Sequence, residues 1–127
     1  MKPGVLLFAH GSRDPRWREP IEAVARAMEG RAPQTAVRCA YLELAEPDFA
    51  SAVRDLAVVG VRHLRVVPMF LGMGKHARED LPKLVDAARL RHPDLHIEVA
   101  GAVGEMPEVI GLLAELALRP TAQPNNP

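Results

Sequence analysis

Two histidines in this chain stand beyond apolar runs and close to glycines. His10 follows Val5-Leu-Leu-Phe-Ala9 and precedes Gly11. His76 closes the loop Met69-Phe-Leu-Gly-Met-Gly-Lys, after the run that ends at Pro68. An unbroken apolar run reads as a strand buried on both faces, and in open α/β sheets ligands bind at the rim beyond the carboxyl ends of the strands. Glu43, in Leu42-Glu-Leu-Ala-Glu-Pro47, follows another candidate strand. If the strands are parallel, all three residues emerge on one rim. Two imidazoles and a carboxylate suit a divalent first-row metal such as iron, cobalt, nickel or zinc, and an incomplete ligand set leaves positions open for water or substrate. A lone histidine after a strand more often caps or packs, and Glu43 alone reads as a solvated loop residue. Their shared rim is what singles them out.

The elements that would position them alternate. After the first strand, Asp14-Pro15 forms a capping and first-turn pair. Ile21, Val24, Ala25 and Met28 then mark one helical face, with Pro20 either kinking the first turn or marking the true start. Residues 35–41 read as a second strand. Phe49, Ala52, Val53 and Leu56 make the next helical stripe, ending near Gly60, and 63–68 is a third strand. Asp80-Leu-Pro82 reads as the start of the third helix, with Leu81, Leu84, Val85 and Ala88 as its buried stripe. A fourth strand spans 95–100. The last helix begins near Met106-Pro107 and is expected to bury Val109, Leu112, Leu113 and Leu116. The prediction is a small α/β sandwich: a four-stranded parallel sheet with helices on both faces, in a single domain over 1–118, followed by a flexible tail at 119–127.

Composition narrows the class. With 127 residues, 48% of them apolar and 25% charged, one globular domain is expected. Sixteen basic side chains balance sixteen acidic ones, which gives no reason to expect nucleic acid or a membrane surface as partner. The start of the chain does not read as a secretory leader and no run approaches a bilayer span, so a cytoplasmic location is expected. The single cysteine, Cys39, rules out an intramolecular disulfide or a cysteine-based zinc cluster and reads as a small core residue.

Several catalytic templates are absent. The chain has no Gly-x-Ser-x-Gly elbow, no P-loop, and no Gly-x-Gly-x-x-Gly after a strand. A histidine phosphatase would carry arginine just before the His-Gly pair, where this chain has Ala9. Arg13, Arg16 and Arg18 gather near His10, and Lys75 and Arg78 beside His76. Acidic neighbours dilute them, yet cations near a metal site suit a ligand with several carboxylates. Met69, Phe70, Leu71 and Met73 offer an apolar floor for a flat ring, though core packing also accounts for some of them. His63, His92 and His96 fall at or before strand starts, on the opposite rim, and read as surface or turn residues.

Ala9-His-Gly-Ser-Arg-Asp-Pro15, Tyr41-Leu-Glu43 with Glu46-Pro47, and Val67-Pro-Met-Phe-Leu71 running on to Gly74-Lys-His76 and Asp80-Leu-Pro82 together resemble the small sirohydrochlorin chelatases. These are the short forms of the cobalt- or iron-inserting lyases of cobalamin and sirohaem synthesis. The resemblance covers residues 4 to about 118, with the motifs in order. It implies a chelatase-like three-layer sandwich. His10 and His76 match the family's metal-binding pair, and Glu43 an acidic residue of the same cleft. Longer relatives fuse two such units, so a homodimer is implied for a short form. The histidine-rich insertion or tail of some short members is missing.

The expected function is therefore insertion of a divalent ion, cobalt or iron with nickel as a further candidate, into sirohydrochlorin. The metal is a substrate and no permanent cofactor is implied. His10 and His76 would hold the ion, and one of them or Glu43 would accept the displaced pyrrole protons. Arg13, Lys75 and Arg78 are candidate contacts for the substrate carboxylates. Histidine suits this work because it both ligates and accepts protons around neutral pH. Two alternatives remain: a non-catalytic metal or tetrapyrrole carrier of the same fold, and a histidine-dependent phosphohydrolase, which Ala9 disfavours.

Overall fold

In the computed structural model, which describes residues 2–120, strand and helix alternate four times. The elements are β1 (Lys2–Ala9), α1 (Glu19–Arg31), β2 (Ala36–Tyr41), α2 (Phe49–Val58), β3 (Val61–Pro68), α3 (Lys75–Arg91), β4 (His96–Val99) and α4 (Pro107–Leu118). All strand pairs are parallel, in the order β2-β1-β3-β4. Strand order reverses between β1 and β3, so the crevice at their carboxyl ends is the switch point where such sheets take ligands. The tail expected from Arg119 lies, beyond Pro120, outside the described residues.

The two faces of β1 explain the layers. Leu6 and Phe8 point to one side and pack with Ala40, Leu64 and Val66 of the neighbouring strands. Against them lie Phe49, Ala52, Val53 and Leu56 of α2 and Leu81, Val85 and Ala88 of α3. The Phe8 ring meets Phe49 edge-on at 5.7 Å and Phe70 at 6.1 Å. Burying each such side chain contributes roughly 1.5–3 kcal/mol. The alternate residues face α1: Cys39 Sγ lies 4.0 Å from the Ile21 carbonyl oxygen, and Trp17 stacks edge-on to Tyr41 at 6.1 Å. Helices thus lie on both faces, as the alternation of elements predicts, with α1 covering only the β1 and β2 half of its side.

The structure corrects three local expectations. Asp14-Pro15 does cap a helical start, with the Asp14 carboxylate accepting from the Arg16 amide at 2.9 Å, but the element is a 3-10 turn over Pro15–Arg18. The α-helix begins at Glu19, so Pro20 lies in its first turn, where a missing N–H costs nothing.

The second correction concerns α3. It starts at Lys75 behind Gly74, not at Asp80, and runs through Pro82. Ala77 is buried in the added first turn, which gives that turn tertiary support the Asp-x-Pro signature does not reveal. His76 therefore sits on the helix and not in the loop before it.

The third concerns α4. It forms where expected, yet Leu112, Leu113 and Leu116 are 54%, 41% and 45% exposed, and Val109 is only partly covered. A periodic apolar stripe specifies an amphipathic helix and leaves open what covers it. The described residues of this chain cover it only in part. No described helix is long and apolar enough to cross a membrane.

Candidate functional site

The ends of β1 and β2 remain paired beyond the strands themselves. The Leu42 amide donates to the Ala9 carbonyl at 2.9 Å and the Glu43 amide to the His10 carbonyl at 3.0 Å. That register sets the two side chains face to face, and His10 Nε2 lies 3.3 Å from Glu43 Oε2, with both about half exposed. Gly11 makes the approach possible. Its φ of +106° belongs to the glycine region, and a Cβ there would run into the Glu43 backbone carbonyl. Leu44 follows with a φ of 63°, a left-handed conformation that costs a β-carbon residue energy and often marks a functional turn.

The loop after β3 forms the second side of the rim. The Met69 amide donates to the Phe8 carbonyl at 2.7 Å, which ties the loop's root to β1, and the Gly104 amide donates to the Phe70 carbonyl at 2.9 Å. A Cβ at Gly104 would collide with the backbone of Leu71, so only glycine lets the β4–α4 connection lie this close. Phe70 and Met73 pack onto the core, whereas Leu71 is 70% exposed. Of the apolar floor expected from this loop, Leu71 remains free. It is joined on the rim by the exposed Leu44, which sequence reasoning missed because a single leucine in a polar loop carries no periodic signal.

His10 and Glu43 are brought together, and His76 lies across the β1–β3 switch point, exposed in the first turn of α3. Among the described residues no three His, Cys, Asp or Glu side chains are close enough to hold a metal as they stand. The basic residues have separate engagements. Arg78 donates to the Met73 carbonyl at 2.7 Å and holds the loop, Lys75 lies 4.0 Å from Glu79 on its own helix, and Arg13 is exposed.

A groove of about 460 Å³ runs beside α3, lined by Leu81, Pro82, Val85, Val99 and Arg78 among others, and by none of His10, Glu43 and His76. The chemistry-bearing groups sit on an open rim, outside this groove. Cys39 is no rival ligand. Burial, followed by the nearby Glu22 carboxylate, pushes its thiol pKa up, so the thiolate needed for ligation is disfavoured. Burial, then Cys39 and Glu22, pushes the neighbouring Tyr41 up to about 12.

Comparison with known proteins identifies the family and its fold. The chain matches the CbiX family model over residues 4–119. It is similar to a sirohydrochlorin cobaltochelatase of Methanopyrus kandleri, 38% identical over 81 residues, which is 64% of this chain and 57% of the relative. The chain thus spans a little over half the length of that relative. A CbiX protein of cobalamin biosynthesis from Marinobacter aquaeolei has a crystal structure that superposes with a TM-score of 0.77 at 32% identity, covering 90% of this chain and 92% of the other. The sirohydrochlorin chelatase SirB of Bacillus subtilis subspecies spizizenii, solved with cobalt, gives a TM-score of 0.78 at 26% identity, with 91% of this chain aligned to 49% of SirB. With a family match that takes in the whole sheet and the rim carrying His10, Glu43 and His76, the chain belongs to the CbiX family.

Proposed function

We propose that this protein inserts a divalent metal ion, cobalt or iron, into sirohydrochlorin, with the ion as substrate. The observation that carries the reading is the 3.3 Å approach of His10 Nε2 to Glu43 Oε2 at the carboxyl ends of β1 and β2, beside the sheet's switch point. Two donor atoms each ~2.1 Å from one tetrahedral ion stand ~3.4 Å apart, so the pair is spaced as joint ligands would be. His76, across the switch point, supplies the further imidazole when the ion binds. Two or three protein ligands leave coordination positions for the ring nitrogens, so the ion can pass from imidazole to pyrrole without being released. Insertion displaces two pyrrole protons: the second Glu43 oxygen accepts one, and the His10 imidazole, freed as the ion leaves it, accepts the other. Leu44 and Leu71 offer apolar contact to the ring, and Arg13, Lys75 and Arg78 attract its carboxylates.

We further propose a homodimer. The apolar face of α4, with Ile110, Leu112, Leu113 and Leu116 exposed, is what a second copy would cover, and α4 carries few charges to oppose burial.

The test is the visible spectrum of sirohydrochlorin mixed anaerobically with the protein and cobalt(II), iron(II) or nickel(II). Multiple turnovers above the non-enzymatic rate support a chelatase. A single stoichiometric burst would indicate a carrier, and hydrolysis of a generic phosphate ester would indicate the phosphohydrolase.

A further inference from the structure

A second pair of histidines meets at the other end of the sheet. His63 of β3 and His96 of β4 are direct partners in the parallel register. Their ring centres are 5.3 Å apart, with planes tilted by 58°. Both side chains are exposed, because α1 covers this face over β1 and β2, and α4 does not close it over β3 and β4. The rings line a shallow groove of about 290 Å³ together with Pro3, Thr35, Arg65 and Glu98. The next rung on the same face is Arg65 with Glu98, whose ion pair at 3.4 Å offsets the nearby positive charge.

The spacing is informative. An imidazole nitrogen ~2.1 Å from an ion places its ring centre ~3.2 Å away, so two rings on one tetrahedral ion stand ~5.2 Å apart. The register of β3 and β4 brings the two rings together, at a separation that a shared ion can use without moving the strands. His63 pairs near Pro3, whereas His10 follows the far end of β1, so at ~3.3 Å per residue the two places are ~20 Å apart.

We propose that His63 and His96 form a second metal site, a two-imidazole clamp for a divalent first-row transition ion, with water filling the remaining positions. Imidazole ligands favour nickel(II), copper(II), cobalt(II) and zinc(II) over magnesium or calcium. The clamp holds an ion on a surface separate from the rim and does not depend on the insertion reading.

The test uses the full chain carrying His10→Ala and His76→Ala, which leaves only His63, His92 and His96. Binding of nickel(II) chloride is measured by equilibrium dialysis, and the histidine ring protons are followed by NMR. One nickel ion should bind, and the His63 and His96 signals should broaden before that of His92. Adding His63→Gln and His96→Gln, which keeps polar side chains at exposed positions, should weaken nickel binding at least tenfold. Undiminished binding in the four-site variant, or equal broadening of all three histidines, would overturn the proposal. Because the rim histidines are already removed, neither result depends on whether the protein inserts metal.

Discussion

His10 Nε2 and Glu43 Oε2 approach to 3.3 Å across the ends of two parallel strands, held there by backbone hydrogen bonds from Leu42 to Ala9 and from Glu43 to His10. Because the register of β1 and β2 sets this pair, removing the carboxylate alters chemistry without removing the scaffold. Glu43→Gln should keep the fold and slow insertion ~100-fold, the low end for loss of a proton acceptor. Its melting curve should overlay the parent's while initial rates of sirohydrochlorin metallation differ. An unchanged rate would reduce Glu43 to a neighbour of His10.

Gly11 is the hinge of the same pair. In Gly11→Ala the new Cβ meets the Glu43 backbone carbonyl at a φ that alanine avoids, and backbone cannot step aside as a side chain can. Destabilisation of about 1–3 kcal/mol is expected, together with a loss of insertion activity. Thermal melts and rates measured below the melting point separate the two effects.

The Asp48 cap supports the turn that carries Glu43 and Leu44. Its carboxylate accepts from the Ser51 amide at 2.9 Å, and hydrogen bonds from Ser51 hold its pKa below the usual carboxylate value. A lowered folded-state pKa contributes stability above the unfolded value, ~3.9, and that contribution is lost as pH falls through the folded value. Asp48→Ala should cost about 1 kcal/mol at pH 7, a few degrees of melting temperature, and the gap to the parent should narrow by pH 3. Paired thermal scans at the two pH values check this.

The uncovered α4 gives the dimer a direct test. Leu112→Glu with Leu116→Glu places charge on a face exposed in the single chain, so the fold should persist while association is lost. Sedimentation velocity should show the parent at twice the mass of the variant. Equal masses would remove α4 from the interface.

How much of this was legible in the sequence depends on which residues the signal involved. The apolar run into His10 and the stripe Phe49, Ala52, Val53, Leu56 follow from periodicity, which is local, and both stand where expected. Asp80-Leu-Pro82 carries a helix-start signature inside a helix, because the burial of Ala77 is a tertiary fact that no local pattern encodes. The role of Gly11 depends on Glu43, thirty-two positions later, and appears only once β1 and β2 are paired. The pairing of His63 with His96 likewise needs the register of β3 and β4. For α4, the apolar stripe is real, but the described residues cover it only in part.

The central claim, that His10 and His76 together hold the ion on its way to the ring, is tested most directly by insertion rates of the single variants His10→Ala and His76→Ala. With cobalt(II) and iron(II), and the non-enzymatic rate subtracted, each should fall at least ~10-fold while far-UV circular dichroism and melting temperature stay at parent values. Full rates in both variants would contradict it.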